Sequence, residues 1–167
     1  MPITALIFDL DDTLFDCTGQ LTGPARRRAA AIFQNALPHL NLEDLCQDQA
    51  RLSDILGSSG AIEEIGRCHR LSKALVQQAL EAYNRSKVEA ITPFPDVPET
   101  LTKLHDQGLA LALVTTGRPN RQRQKVHLLN LEGYFNEQQG TLILHDERQT
   151  PLKDDALRQA AQNLNLP

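Results

Sequence analysis

Leu6-Ile7-Phe8-Asp9-Leu10-Asp11-Asp12-Thr13-Leu14-Phe15-Asp16 is the stretch on which the reading of this chain turns. An apolar run ends in three carboxylates within four positions, Asp9, Asp11 and Asp12. Like charges this close repel and raise one another's pKa values, so a positive group or a carboxylate-seeking ligand is expected beside them. Ile3 to Phe8 is short, mostly apolar and does not alternate, the pattern of a strand buried on both faces of a parallel sheet. In open α/β sheets ligands sit outside the carboxyl ends of the strands, which is where Asp9 falls. Residues two apart in an extended stretch point the same way, so Asp9 and Asp11 are expected to converge on one ligand. Two carboxylates there can bind Mg²⁺, a hard cation that prefers oxygen. One can also attack phosphorus while the other handles protons.

Outward from this stretch, Leu109 to Val114 follows Gly108 and reads as a second buried strand, and Thr141 to Leu144 follows Gly140 as a third. The remainder is helical in pattern. Pro24 to Leu37 opens with a proline suited to a first helical turn and is expected to bury Ala29, Ile32, Phe33, Ala36 and Leu37. Asn41 to Leu56, Ala61 to His69 and Ser72 to Ala90 follow, the last with Leu75, Ala79, Ala82 and Tyr83 as its stripe. Pro98 to Gln107 stops at Gly108, and Pro119 to Asn130 and Leu152 to Leu164 complete the set. The order is strand, a purely helical block, then helix, strand, helix, strand, helix. That is the rhythm of an α/β protein with a doubly wound parallel sheet. The helical block is too long for a simple crossover. It reads as an inserted lobe spanning residues 16–92, with the sheet core formed by 1–15 and 93–167.

The chain has 167 residues, 41% hydrophobic and 23% charged, an ordinary globular composition. With no Trp and few aromatics, the core must rest on Leu, Ala, Ile and Val. Net charge is -4 and the one basic block is Arg26-Arg27-Arg28, so no nucleic acid partner is expected. Those arginines, like Lys87, read as a solvated face, although they could reach a phosphate from the lobe. Three cysteines, Cys17, Cys46 and Cys68, lack metal-ligand spacing and suit a reducing compartment. No signal peptide is legible at the N-terminus, and no apolar run approaches the roughly 20 residues that span a bilayer. A cytoplasmic location without membrane association is the expectation.

Phe8-Asp9-Leu10-Asp11-Asp12-Thr13-Leu14 resembles the DxDx[TV] signature of the haloacid dehalogenase (HAD) superfamily. Leu111-Ala112-Leu113-Val114-Thr115-Thr116-Gly117 resembles its second motif, an apolar strand ending in Thr or Ser. Lys153-Asp154-Asp155-Ala156 resembles its third, with Asp154 where Pro usually stands. Phe94-Pro95-Asp96-Val97 resembles the return from a helical cap in the C1-capped subfamily. The resemblance implies a Rossmann-like core and a C1-type cap closing over a small phosphorylated metabolite. It implies Asp9 as the nucleophile that forms an aspartyl-phosphate, and Asp11 as the acid that protonates the leaving alcohol and then activates water. Thr115 would hydrogen-bond the phosphoryl oxygens, with Thr116 as its rival. Lys153 would neutralise the gathering negative charge, with Lys125 as the alternative cation. Arg118 is a further candidate for touching substrate or cap. Mg²⁺ is the implied cofactor, held by the Asp9 carboxylate and the Asp11 backbone carbonyl. Asp11 argues against the dehalogenase branch, which needs no proton shuttle to an alkoxide.

The superfamily's fourth motif, an acidic pair after a further strand, has no counterpart here. Asp146 and Glu147 precede Lys153 and do not match it, and the chain stops at Asn165-Leu166-Pro167. A truncated chain with an incomplete sheet is therefore expected, poorly soluble and nearly inactive by itself, with an exposed apolar edge on the first strand. A sugar-phosphate mutase keeps the same residues, and a non-catalytic binding relative becomes the alternative if the gene product truly ends at Pro167.

Overall fold

The computed structural model describes residues 3–84, 90–146 and 153–165. Lys87 and Glu147 lie outside the described residues. The chain divides into two compact units, one joining the residues up to Cys17 to those from Ala90 onward, the other beginning at Thr18.

The first unit is an α/β layer. Its strands are β1 (Ala5–Phe8), β2 (Ala110–Thr116) and β3 (Leu142–His145). They form one parallel sheet in the order β1-β2-β3. Ala5 pairs with Ala110 and Phe8 with Leu113, while Leu113 pairs with Leu142 and Thr116 with His145. Parallel pairing puts all three carboxyl ends on one edge, and Asp9, Thr116 and His145 lie along it. β2 is central and its interior positions Leu111 to Thr115 are buried. β1 is only half-buried along its length, less covered than a strand buried on both faces and in keeping with the exposed edge expected of it. The reason is positional: among the described residues β1 pairs with β2 alone.

Three helices of the chain's six belong to this unit among the described residues, α4 (Val97–Asp106), α5 (Pro119–Leu128) and α6 (Asp154–Asn163). Ala156 and Ala160 of α6 pack against Ala112, Val114 and Ile143, where small side chains let the helix sit close to the sheet. Phe135 is fully buried and meets Phe8 edge-on at 6.1 Å between ring centres. Residues 9–15 leave β1 in a tight loop. The Leu14 amide donates to the Leu10 carbonyl at 3.0 Å, and the Phe94 amide donates to Leu14 at 3.0 Å, tying the outgoing strand to the returning chain. Asp12 sits in the left-handed region at φ 56°, which its short polar side chain tolerates.

The second unit is all-helical: a π-helical turn at Thr18–Thr22, then α1 (Gly23–Ala36), α2 (Leu42–Cys68) and α3 (Lys73–Asn84). Asn41 caps α2 by accepting from the Glu43 and Asp44 amides. α2 is two helical segments meeting at Gly57, whose φ of 70° breaks the helix, so the two shorter helices expected here are both present. The core is Ala25, Ala29, Ala30 and Phe33 of α1 with Leu45, Ile62, Ile65, Ala79 and Tyr83. The α1 stripe is thus rotated from the expected one, and Ala36 is exposed. Two of the three arginines are not a solvated face. Arg26 donates to the Ser53 hydroxyl at 3.1 Å, and Arg28 donates to the Ala82 carbonyl at 3.1 Å, tying α1 to α2 and α3. Arg27 alone keeps the expected role, in an exposed pair with Glu43.

Candidate active site

Asp9 is the first residue beyond β1, and Lys153 lies at the start of α6. Lys153 Nζ donates to Asp9 Oδ1 at 2.6 Å, across 144 positions of sequence. Both side chains are partly open to solvent, at 34% for the lysine and 40% for the aspartate. A cation at a helix N-terminus faces the unfavourable end of the helix dipole. Here Asp154 and Asp155 in the first turn, and Asp9 opposite, offset that cost.

Asp11 is held differently. Lys125 Nζ donates to both of its carboxylate oxygens, at 2.7 and 2.8 Å, and Gln122 Nε2 donates to Oδ2 at 3.1 Å. The Lys125 side chain is only 6% exposed and lies 5.8 Å from the centre of the Phe15 ring. Gln122 and Lys125 sit three apart on α5, so they project from one face. The helix begins where Pro119 sets its first turn, and Arg118 before it is extended, as a residue preceding proline prefers. Gly117 makes the sharp exit from β2 at φ 143°, and a Cβ there would come within 3.3 Å of the Gln122 side chain. Its glycine therefore leaves room for Gln122 as well as for the turn.

Gln122 Nε2 also donates to Thr115 Oγ1 at 2.6 Å and to the Thr116 carbonyl at 2.9 Å. Thr115 is buried and points into this network. Thr116, its neighbour on the strand, turns the other way, and its hydroxyl lies 3.2 Å from His145 Nδ1. The structure thus joins Thr115 to the second carboxylate through Gln122, and joins Lys153 to the first. Arg118 is exposed and is not among the side chains that hydrogen-bond either carboxylate among the described residues. Cys17 Sγ lies 3.8 Å from Lys125 Nζ, and burial, reinforced by the Asp11 charge, pushes its thiol up to about 11. A thiol held protonated in this way is a poor nucleophile.

Gln122 is the site residue that sequence reasoning missed, and Lys125 took a place beside Asp11 rather than the alternative one on Asp9. The usable signal was scarcity. α5 reads PNRQRQKVHL, with too few apolar residues to cover a sheet, so some polar side chains had to be buried.

The donor chemistry suits a hard cation. Lys153 engages one oxygen of a carboxylate that is two-fifths exposed, so a hydrated cation can approach the other. Among the described residues no group of three or more His, Cys, Asp or Glu is gathered to hold a metal by itself.

A family model described as haloacid dehalogenase-like hydrolase matches residues 6–160. The chain is 31% identical over 141 residues to a glyceraldehyde 3-phosphate phosphatase of Methanopyrus kandleri, covering 81% of this chain and 60% of that protein. It is 26% identical over 131 residues to a phosphoglycolate phosphatase of Aquifex aeolicus, covering 78% of this chain and 57% of that one. The chain thus spans well under two thirds of the length of these relatives. Its fold matches a haloacid dehalogenase-like family hydrolase from Xanthomonas campestris with a TM-score of 0.62 at 20% identity, covering 99% of this chain and 69% of that one.

Proposed function

The chain belongs to the haloacid dehalogenase-like hydrolase family, and from that premise we propose that its protein hydrolyses a small phosphomonoester through a phosphoryl-aspartate on Asp9. The substrates named for the relatives favour a phosphorylated compound of two or three carbons. In this reading an Asp9 oxygen attacks phosphorus, the bond to the alcohol oxygen breaks, and Asp11 gives that oxygen its proton. Water then attacks the same phosphorus, Asp11 takes a proton from it, and the bond to Asp9 breaks to release phosphate. Thr115 donates its hydroxyl to a phosphoryl oxygen, and Lys153 balances charge as it gathers at Asp9. Mg²⁺, held by the Asp9 carboxylate and the Asp11 backbone carbonyl, would supply further charge neutralisation. The helical unit fits the cap expected at residues 16–92.

The observation that carries this reading is the 2.6 Å contact from Lys153 to Asp9. It brings the first and third motifs together at the carboxyl edge of a parallel sheet. The test is phosphate release from a panel including glyceraldehyde 3-phosphate, phosphoglycolate and hexose phosphates, with Mg²⁺ present. The full-length protein is expected to release phosphate, and its Asp9→Asn variant to lose at least about 10³-fold, since removing a nucleophile abolishes its pathway. Wild-type turnover in Asp9→Asn overturns the assignment.

A further inference from the structure

We propose that Gln122 and Lys125 are positioning residues, a polar clamp on α5 that fixes the Asp11 carboxylate and the Thr115 hydroxyl as one unit. The inference rests on the phosphatase reading for its kinetic meaning, but its geometry stands alone.

Lys125 reaches both Asp11 oxygens at nearly equal distances, which fixes the plane of the carboxylate as well as its place. Gln122 adds a third contact on Oδ2. The Gln122 amide has two hydrogens, yet three acceptors surround its nitrogen: Asp11, Thr115 and the Thr116 carbonyl. The hydrogens are therefore shared, and the three acceptors are coupled through one group. The shortest of these contacts, at 2.6 Å, runs to Thr115 Oγ1. A hydroxyl that accepts there directs its own proton elsewhere, toward an anionic oxygen.

The burial is one-sided. The Lys125 side chain is 6% exposed and that of Asp11 30%. The ammonium is sunk in the core and the carboxylate faces out, the arrangement of a mount and the group it holds. Stability alone gives little reason for it, because a buried ion pair is often no better than apolar packing of similar volume.

The proposal is tested with wild type, Lys125→Met, Lys125→Arg and Gln122→Leu. Each is assayed for kcat/KM on two esters, an alkyl phosphate and 4-nitrophenyl phosphate. The alkyl leaving group needs a proton from Asp11, while nitrophenolate leaves without one. A displaced Asp11 should therefore lower kcat/KM about 30- to 100-fold for the alkyl ester and under about 5-fold for the aryl ester, within the range for general acid catalysis. Lys125→Arg, which keeps two donors for the carboxylate, should recover most of the loss. Should Lys125→Met not fold, Gln122→Leu makes the same comparison with a smaller split. The readout that needs no turnover is hydrogen exchange of the Gln122 side-chain amide, followed by nuclear magnetic resonance. Slow exchange in wild type, lost in Asp11→Ala, is expected. Equal losses on the two esters, or fast exchange in wild type, overturns the clamp. If the full-length wild type turns over neither ester, the phosphatase reading falls instead, and the amide exchange alone decides the clamp.

Discussion

Two aspartates two residues apart each meet a lysine, and the two pairs are built on opposite plans. Asp9 and Lys153 touch at a single oxygen, and both remain a third or more exposed. Asp11 and Lys125 touch at two oxygens, with the lysine buried and an amide bracing the contact. The open pair can be separated by an incoming phosphate at small cost, because exposed ion pairs are worth about 0–1 kcal/mol. The closed pair cannot, since an uncompensated charge would be left in the core. On the mechanism proposed above, the difference divides labour between a pair that must yield during reaction and one that must stay put.

Exchanging the two lysines' losses sharpens this most. Lys153→Met is expected to lower phosphate-ester turnover about 10²- to 10³-fold, the scale for deleting one charge-stabilising group, while its unfolding free energy moves by less than about 1 kcal/mol. Lys125→Met should do the reverse on stability, losing about 2–3 kcal/mol. That is below the full range for breaking a buried pair, because Asp11 itself stays partly solvated. Urea unfolding of the two variants side by side measures this. Equal losses of stability would erase the distinction between the pairs.

The first strand and its three carboxylates were legible because a buried apolar run must end before charge can begin. The parallel sheet and the purely helical block after its first strand followed from apolar spacing. Lys153 was legible only by resemblance, since nothing local marks a helix-start lysine as the partner of Asp9, just beyond a strand and 144 positions away. The Gln122 and Lys125 roles were not legible. On paper they match Arg123 and Gln124 in polarity, and only the packing of α5 decides which of the four turns inward. The edge position of β1 was legible only through the resemblance, since an apolar strand by itself reads alike whether it has one neighbour or two.

Gly117 tests how tightly the closed pair is mounted. Gly117→Ala forces a side chain into a backbone at φ 143° and into contact with Gln122. A loss of about 1–3 kcal/mol is expected from backbone strain. Faster exchange of the Gln122 amide should accompany it. Gly140→Ala makes a useful control, since its φ of 71° is also positive but its added Cβ would meet Asn163 instead. Loss of stability in both variants, with loosening of Gln122 only in the first, is the expected pattern. Loosening in neither would mean that the turn does not support the clamp.

The smallest expected effect lies behind the closed pair, at Cys17. Its thiol is pushed up to about 11, first by burial and then by the Asp11 charge, with Lys125 acting in the other direction. The folded state therefore holds the thiol proton more tightly than the unfolded chain, whose thiol titrates near ~8.5. The stability this contributes is complete below ~8.5 and is lost as pH climbs toward about 11. Unfolding midpoints followed across that window should fall more steeply for wild type than for Cys17→Ala, and lysine titration, common to both, cancels in the comparison. At pH 8 a thiol reagent should label exposed Cys68 promptly while sparing Cys17. In Lys125→Met the lysine's counteracting influence is gone, so labelling of Cys17 should slow further if its burial is unchanged. Faster labelling there would instead mean that removing the ammonium opens the core behind Asp11, making Lys125 a packing residue first and a mount second.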